Sequence, residues 1–81
     1  MTVRYSKQFL RQYAAAPAEV RTAFDKQIKF LLENLNHPSL RAKKYDERLD
    51  LWQARVSRSW RFYFTIEGGE YHLHAIKAHP K

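Results

Sequence analysis

Three arginines recur in the stretch Leu51–Tyr63, at Arg55, Arg58 and Arg61. An arginine stays charged at neutral pH, and its planar guanidinium binds two phosphate oxygens at once. Such a group suits RNA cleavage, in which a phosphorane gains negative charge while other groups move protons to and from the sugar oxygens. Arg61 and Arg55 are therefore candidates to contact phosphate. His79 is the candidate for proton transfer, because an imidazole titrates near neutral pH.

Other side chains in and around this stretch could also contact an RNA ligand. Tyr63 could stack on a base or position a reacting group. The remaining candidates for contact with RNA or phosphate are Lys43, Lys44, Gln53, Arg58 and Lys77. Each candidate also has an ordinary alternative role. Arg61 could pair with an acid or stack on Trp60, and Lys43 and Lys44 could simply be solvated.

The sequence predicts neither a metal site nor a cofactor site. His72 and His74 lie two residues apart on one predicted strand, but no acid or third histidine follows at a spacing typical of metal ligands. The chain has no cysteine, which excludes a disulfide and a thiolate site. No glycine-rich phosphate loop, Ser-His-Asp arrangement or carboxylate pair is present.

Positive charge is concentrated in the second half of the chain. The net charge is +7 over 81 residues, and residues 41–61 carry seven basic side chains against three acidic ones. Such a patch favours nucleic acid or an acidic protein as partner, although a solvated basic surface would give the same pattern. No apolar run approaches the roughly 20 residues of a membrane span, and the first residues do not read as a signal peptide. We therefore expect a single cytoplasmic domain over residues 1–81.

Two helices are predicted in the first half of the chain. After a brief strand at Thr2–Tyr5, Ser6 can cap a short first helix. Pro17 suits the first turn of a second helix, which ends near Asn34–Asn36. We expect this helical hairpin to bury one apolar stripe, which Leu32 widens. The stripe consists of Val20, Phe24, Ile28, Leu31 and Leu35.

Strands are predicted in the second half, after an irregular polar segment at Pro38–Asp50. We expect Leu40, Tyr45 and Leu49 to anchor that segment. Apolar and polar residues then alternate through Leu51–Ile66, with a turn in the middle, which is typical of two strands with one buried face. The alternation places four side chains together on the face away from the helices, namely Gln53, Arg55, Arg61 and Tyr63.

The last predicted strand, Tyr71–Ala78, follows a tight turn at Gly68 and Gly69, because two glycines supply the positive φ values of a short hairpin. Its register is open, since either Tyr71 and Leu73 or the alternate set with Ile76 could face the core. The expected fold is α+β, with an N-terminal helical hairpin packed on one face of a small, mainly antiparallel sheet. The expected order of elements is β-α-α-β-β-β.

This order and several motifs resemble the RelE/ParE superfamily of toxins from type II toxin–antitoxin modules. The most specific features are a Pro-Ser-Leu loop followed by basic residues, a W-x-A-R-V strand, and the aromatic-arginine pair Trp60-Arg61 before an apolar strand. The resemblance spans nearly the whole chain. It implies a sheet with helices on one side and a concave basic face on the other.

In RelE-like members of this superfamily, the basic face cleaves mRNA in the ribosomal A site without a metal ion, and an antitoxin that wraps the toxin silences it. By this resemblance, Arg55 and Arg61 match basic positions of the site. Gln53 stands where such nucleases carry a second lysine, and His79 or Lys77 falls near the basic or histidine position after the last strand. The expected function is a toxin that inhibits translation by metal-independent, ribosome-associated mRNA cleavage, which would make it an endoribonuclease, or mRNA interferase.

Two alternatives stay open. ParE-like members use a related scaffold to poison DNA gyrase, and a non-catalytic basic module would only bind an acidic partner. Gln53 and the lack of a counterpart to the C-terminal tyrosine of the best-known nucleases favour these alternatives, whereas Arg55, Arg61 and His79 favour cleavage. The expected partners are a cognate antitoxin and mRNA on the ribosome, with DNA gyrase as the alternative target and no membrane.

Overall fold

Two helices pack against one face of a five-stranded sheet in the computed structural model, which describes residues 1–79. The strand order is β1-β5-β4-β3-β2, with β1 parallel to β5 and every other neighbouring pair antiparallel. This arrangement confirms the expected α+β fold with a helical hairpin on a mainly antiparallel sheet. The elements are β1 Thr2–Tyr5, α1 Lys7–Ala15, α2 Ala18–Glu33, β2 Lys43–Asp46, β3 Leu51–Ser57, β4 Trp60–Glu67 and β5 Glu70–Ala78.

Helix α1 begins at its predicted cap, and α2 begins one residue after Pro17. The Ser6 hydroxyl accepts a hydrogen bond from the Phe9 N–H at 3.0 Å, which satisfies one of the amides that a first helical turn leaves unpaired. Pro17 lies one residue before α2 rather than inside its first turn, and its carbonyl accepts the N–H groups of Val20 and Arg21. Within residues 1–79, neither helix is long and apolar enough to cross a membrane.

Aromatic side chains dominate the core between the helices and the sheet. Phe62 and Phe64 of β4 are both 0% exposed, and the Phe24 ring of α2 meets the Phe62 ring edge-on at 5.2 Å between centroids. Large buried rings contribute the most apolar area per residue, so this contact joins the two layers. The predicted stripe on α2 lies in or against this core. Leu32 does not widen it, because its side chain is exposed.

The segment between α2 and β3 contains a strand that sequence reasoning missed. Residues Lys43–Asp46 form β2 at the edge of the sheet, so the prediction of one irregular segment was wrong and the order of elements is β-α-α-β-β-β-β. Leu40 is buried as expected, but Tyr45 and Leu49 are 60% and 58% exposed and anchor nothing in the core. Edge strands often carry charged residues, because charges prevent pairing with other chains. Such a strand lacks the alternation of apolar and polar residues by which a strand is recognised in a sequence.

A bulge in β5 explains why the register of this strand was ambiguous in sequence. Phe64 pairs with Leu73 and Tyr63 pairs with Ala75, so His74 is an extra residue opposite them. Before the bulge, Leu73 points to the helices, and after it, Ile76 does so. Each of the two registers considered from the sequence is therefore correct for one half of the strand.

One buried polar side chain, Gln27, ties α2 to two other segments. Its Nε2 donates to the carbonyl oxygens of Ser39 at 3.0 Å and Arg55 at 2.8 Å, and its Oε1 accepts from the Ser39 hydroxyl at 2.9 Å. The Arg55 N–H in turn donates to the carbonyl oxygen of Leu40 at 2.7 Å. The second half of β3 is thus held by α2 on one side and by the loop before β2 on the other.

We expect Gln27→Met to lower the free energy of unfolding by about 1–3 kcal/mol, because methionine fills a similar volume but leaves two partly buried carbonyls without their donor. Urea unfolding followed by tryptophan fluorescence measures this change. Gln8→Met is the matched control, since Gln8 is exposed on α1. Equal stability of the two variants would contradict the role assigned to Gln27.

Candidate nucleic-acid interface

A basic surface lies on the side of the sheet opposite the helices. Arg55 of β3 pairs directly with Arg61 of β4, and Arg61 pairs with Lys77 of β5. Tyr63 is the next outward residue on β4, and Lys43 extends the row onto β2 opposite Gln53. We call Lys43, Arg55, Arg61, Tyr63 and Lys77 the basic face. The structure therefore brings these predicted residues together on neighbouring strands.

The Arg61 guanidinium is held over the turn between β3 and β4. Its Nη1 donates to the carbonyl oxygens of Ser57 at 2.8 Å and Trp60 at 2.9 Å, with a longer contact to Arg58 at 3.4 Å. All three bonds are made by Nη1, and together they hold the guanidinium in one orientation. Among the described residues, no hydrogen bond engages its Nε or Nη2, so those donors can serve an anion.

Arg55 and Arg61 place two positive charges opposite each other on paired strands. Burial lowers the pKa of Arg61, and the charges of Arg55 and Arg41 lower the pKa further. Two cations directly opposite each other on paired strands destabilise a sheet. Within residues 1–79, no carboxylate forms an ion pair with Arg55, Arg61 or Lys77. A bound anion would relieve this repulsion.

Tyr63 occupies the middle of the basic face. Its ring meets the Tyr45 ring edge-on at 5.1 Å, and the Lys77 Nζ lies 5.3 Å from its centroid. Burial and Tyr45 raise the pKa of the Tyr63 hydroxyl, while the charge of Arg61 lowers that pKa. The net shift is upward, so Tyr63 is protonated at neutral pH. It can donate a hydrogen bond but cannot act as a base there.

His79 lies beside the turn between β3 and β4, just before the strand that carries Arg61. Its backbone N–H donates to the carbonyl oxygen of Ser59 at 2.6 Å, and the residue is half-buried. This bond joins the end of β5 to the β3–β4 turn. The backbone of the predicted proton-transfer residue and the predicted phosphate contact Arg61 therefore lie at the same end of the sheet.

Two predicted contacts lie elsewhere or are covered. Lys44 pairs with Trp52 on the opposite side of the sheet, where its Nζ contacts Asp50 at 2.8 Å and Glu47 at 3.9 Å. The alternation of β2 places Lys44 on the side of the sheet away from the basic face, so the structure does not join Lys44 to that face, and its contact with phosphate stays a prediction. Gln53 does point outward, but it is only 6% exposed and forms part of the floor beneath the basic face.

The other end of the same sheet surface is acidic. His72 contacts Glu67 at 3.5 Å and Glu70 at 3.4 Å, and Glu70 also lies 3.9 Å from Arg4. The His74 Nε2 forms a hydrogen bond with the Thr65 hydroxyl at 2.8 Å. In the part of the chain that the structure describes, no three side chains of the metal-binding types gather into a site. Charge along this surface thus runs from acidic near the β4–β5 turn to basic near the β3–β4 turn.

Sequence reasoning missed two residues that border the basic face. Tyr45 was expected in the core, but its ring packs against Tyr63. Arg41 was counted in the charge of residues 41–61, but the sequence did not predict where it lies. Its charge is close enough to Arg61 to lower the pKa of that guanidinium. The strand period could have placed Tyr45 had β2 been recognised. No local pattern places Arg41, because its position depends on the loop held by Gln27.

The architecture matches solved structures of bacterial and archaeal toxins. The YoeB/ParE toxin from Agrobacterium tumefaciens superposes with a TM-score of 0.82 at 12% identity, covering 99% of this chain and 100% of that one. RelE in the RelE–RelB complex from Pyrococcus horikoshii gives 0.79 at 15% identity, covering 99% and 96%. The chain has the fold of the RelE and YoeB toxins.

A third match shows the toxin fold within an assembly. A chain of the heterotetrameric YoeB–YefM toxin–antitoxin complex from Staphylococcus aureus superposes with a TM-score of 0.78 at 14% identity, covering 99% of this chain and 98% of that one. No protein-family model and no curated protein sequence matches the chain. The RelE/YoeB fold is therefore established by three-dimensional shape, with little help from sequence identity.

We expect Arg61→Gln to raise the pKa of Tyr63 further, because the guanidinium charge favours the phenolate. The pKa of Tyr63 in the unchanged protein should already exceed the usual tyrosine value of about 10. A pH titration of the Tyr63 Cζ resonance by NMR measures both values. Arg58→Gln removes the same charge from the exposed turn and should leave the pKa in place. A Tyr63 pKa that is unchanged or lower in Arg61→Gln would contradict the described geometry.

Proposed function

We propose that this chain is a cytoplasmic single-domain toxin of a type II toxin–antitoxin module that blocks translation by cleaving mRNA on the ribosome without a metal ion. The observation that carries the proposal is the cross-strand pair Arg55 and Arg61, which faces away from the core with no carboxylate partner among the described residues. Such a pair costs stability unless an anion meets it. The phosphates of RNA are anions of the right geometry for arginine.

The groups around this pair suit cleavage by an internal hydroxyl. The ribose 2′-oxygen attacks the adjacent phosphorus while its proton leaves, and the bond from phosphorus to the 5′-oxygen breaks as that oxygen gains a proton. The products are a 2′,3′-cyclic phosphate and a 5′-hydroxyl. Arg61 stabilises the charge of the phosphorane, Arg55 helps to hold the phosphate, and His79 moves one of the protons.

The remaining residues of the basic face bind the RNA strand. Tyr63 donates a hydrogen bond or stacks on a base, since its hydroxyl keeps its proton at neutral pH. Lys43, Lys77 and the exposed Arg58 attract flanking phosphates. The protein partner is a cognate antitoxin, by analogy with the RelE–RelB and YoeB–YefM complexes, whose toxins share this fold.

Inhibition of DNA gyrase without cleavage is a second candidate. It is favoured by the small number of proton-transfer groups near Arg61, since the described residues place no carboxylate in ion-pair contact with it. A gyrase inhibitor would arrest growth with intact mRNA and an induced DNA-damage response. A non-catalytic basic module would leave growth unchanged.

We expect induction of the protein to produce new mRNA 5′ ends within translated codons, and Arg61→Gln to reduce their rate of appearance by about 10²–10³-fold, the usual cost of removing a donor to a developing oxyanion. Sequencing of mRNA 5′ ends shortly after induction measures this. Arg48→Gln is the matched control, because Arg48 is exposed outside the basic face and should leave cleavage unchanged.

Thermal unfolding of purified Arg61→Gln should show that the variant is folded, so that lost cleavage is not lost structure. Cuts that persist in a folded Arg61→Gln protein would overturn the assignment of Arg61. Growth arrest with uncut mRNA would overturn the nuclease and favour the gyrase inhibitor.

A further inference from the structure

A second basic site lies around the edge of the sheet from the basic face. Helix α2, the loop before β2 and the end of β3 enclose a cleft of about 480 Å³. Its walls carry four cations and no acid, and its other lining residues are small or polar. The cations are Lys26, Arg41, Arg55 and Arg58.

Hydrogen bonds hold together the three segments that enclose the cleft. Gln27 forms part of its wall and binds the carbonyls of Ser39, in the loop before β2, and Arg55, on β3, which also line the cleft. The bond from the Arg55 N–H to the Leu40 carbonyl closes the same frame at 2.7 Å. These bonds hold the backbone segments that carry the cations in place, so that less backbone freedom is lost when an anion binds.

The cleft and the basic face are continuous. Arg55 belongs to both, and the charge of Arg41 reaches the guanidinium of Arg61. Within residues 1–79, the four cations of the cleft form no ion pair with a carboxylate. The Nζ of Lys26 lies 5.9 Å from the Phe30 ring centroid, which leaves its three donors for a ligand.

We infer that this cleft holds phosphates of the same RNA strand next to the phosphate at Arg55 and Arg61, so that the RNA passes the end of β3, beyond its pairing with β2, toward α2. The inference rests on the proposed function in taking the ligand to be RNA. A polyanionic backbone fits better than a protein segment, because protein partners anchor on aromatic and large apolar pockets. The apolar residues among the lining are Ala23, Pro38 and Val56, which offer no such pocket.

The test compares RNA binding by two doubly substituted proteins of equal charge. Lys26→Gln with Arg41→Gln removes two cations from the cleft, and neither residue belongs to the basic face. Lys29→Gln with Arg48→Gln removes one lysine from α2 and one arginine from an exposed turn, both outside the cleft. The probe is a short single-stranded RNA with every ribose 2′-O-methylated, which cannot be cleaved. Fluorescence anisotropy at several salt concentrations gives the dissociation constant and its salt dependence.

We expect the slope of log affinity against log salt to fall in magnitude by about 1.4 in the cleft variant, since each phosphate contact on a single strand contributes about 0.7. The control variant should keep the slope of the unchanged protein. Equal slopes for the two variants would overturn the inference. So would a cleft variant that binds the RNA normally but no longer binds a polyglutamate peptide, because the cleft would then be a docking site for an acidic protein segment.

The uncleavable probe keeps this result separate from the proposed function. If mRNA is cut in cells and the cleft variant binds RNA like its control, only the cleft assignment fails. If mRNA is not cut and the cleft variant loses the expected slope, the cleft assignment stands and cleavage fails. Thermal unfolding of both variants should match that of the unchanged protein, because all four substituted side chains are exposed.

Discussion

Complete burial of Phe62 and Phe64 is the constraint on which the rest of the molecule depends. Both rings are fully buried on the face of β4 that packs against the helices, and the Phe24 ring of α2 meets the Phe62 ring edge-on. Because side chains alternate across a strand, this burial forces Arg61 and Tyr63 to the opposite surface. A shift of one residue would bury a guanidinium and expose two phenyl rings. The apolar core thus decides which side chains form the basic face.

The like charges of the basic face lower the stability of the sheet, and other contacts offset this loss. Arg55 and Arg61 repel each other across paired strands, and burial together with the charge of Arg55 lowers the pKa of Arg61. The turn carbonyls that accept from Arg61 help to hold the pair in place. So do the bond from Gln27 Nε2 to the Arg55 carbonyl oxygen and the bond from the Arg55 N–H to the Leu40 carbonyl oxygen. Acidic residues that could neutralise the pair are instead gathered at the opposite end of the sheet, around His72. This separation of charge leaves the arginines for an external anion.

The sequence was sufficient wherever a pattern was local and periodic. The β3–β4 alternation placed Arg55, Arg61 and Tyr63 on one surface, and Ser6 marked the start of α1. It was insufficient where pairing with distant segments decided the outcome. Strand β2 is charged on both faces, so nothing in its composition distinguishes it from a loop, and the sequence did not show on which side of the sheet Lys44 lies. The β5 bulge at His74 and the burial of Gln27 depend on partners 9 to 28 residues away in the chain, which no window of local periodicity contains.

The central claim is that the outward pair Arg55 and Arg61 meets the phosphates of RNA. The most direct measurement is an NMR titration of the labelled protein with an uncleavable single-stranded RNA, followed at the arginine Nε–Hε groups and the tyrosine rings. We expect the largest shifts at Arg55, Arg61 and Tyr63, with small shifts on the exposed side of the helices. Shifts confined to the helical hairpin, with the arginine signals of the basic face unchanged, would contradict the account.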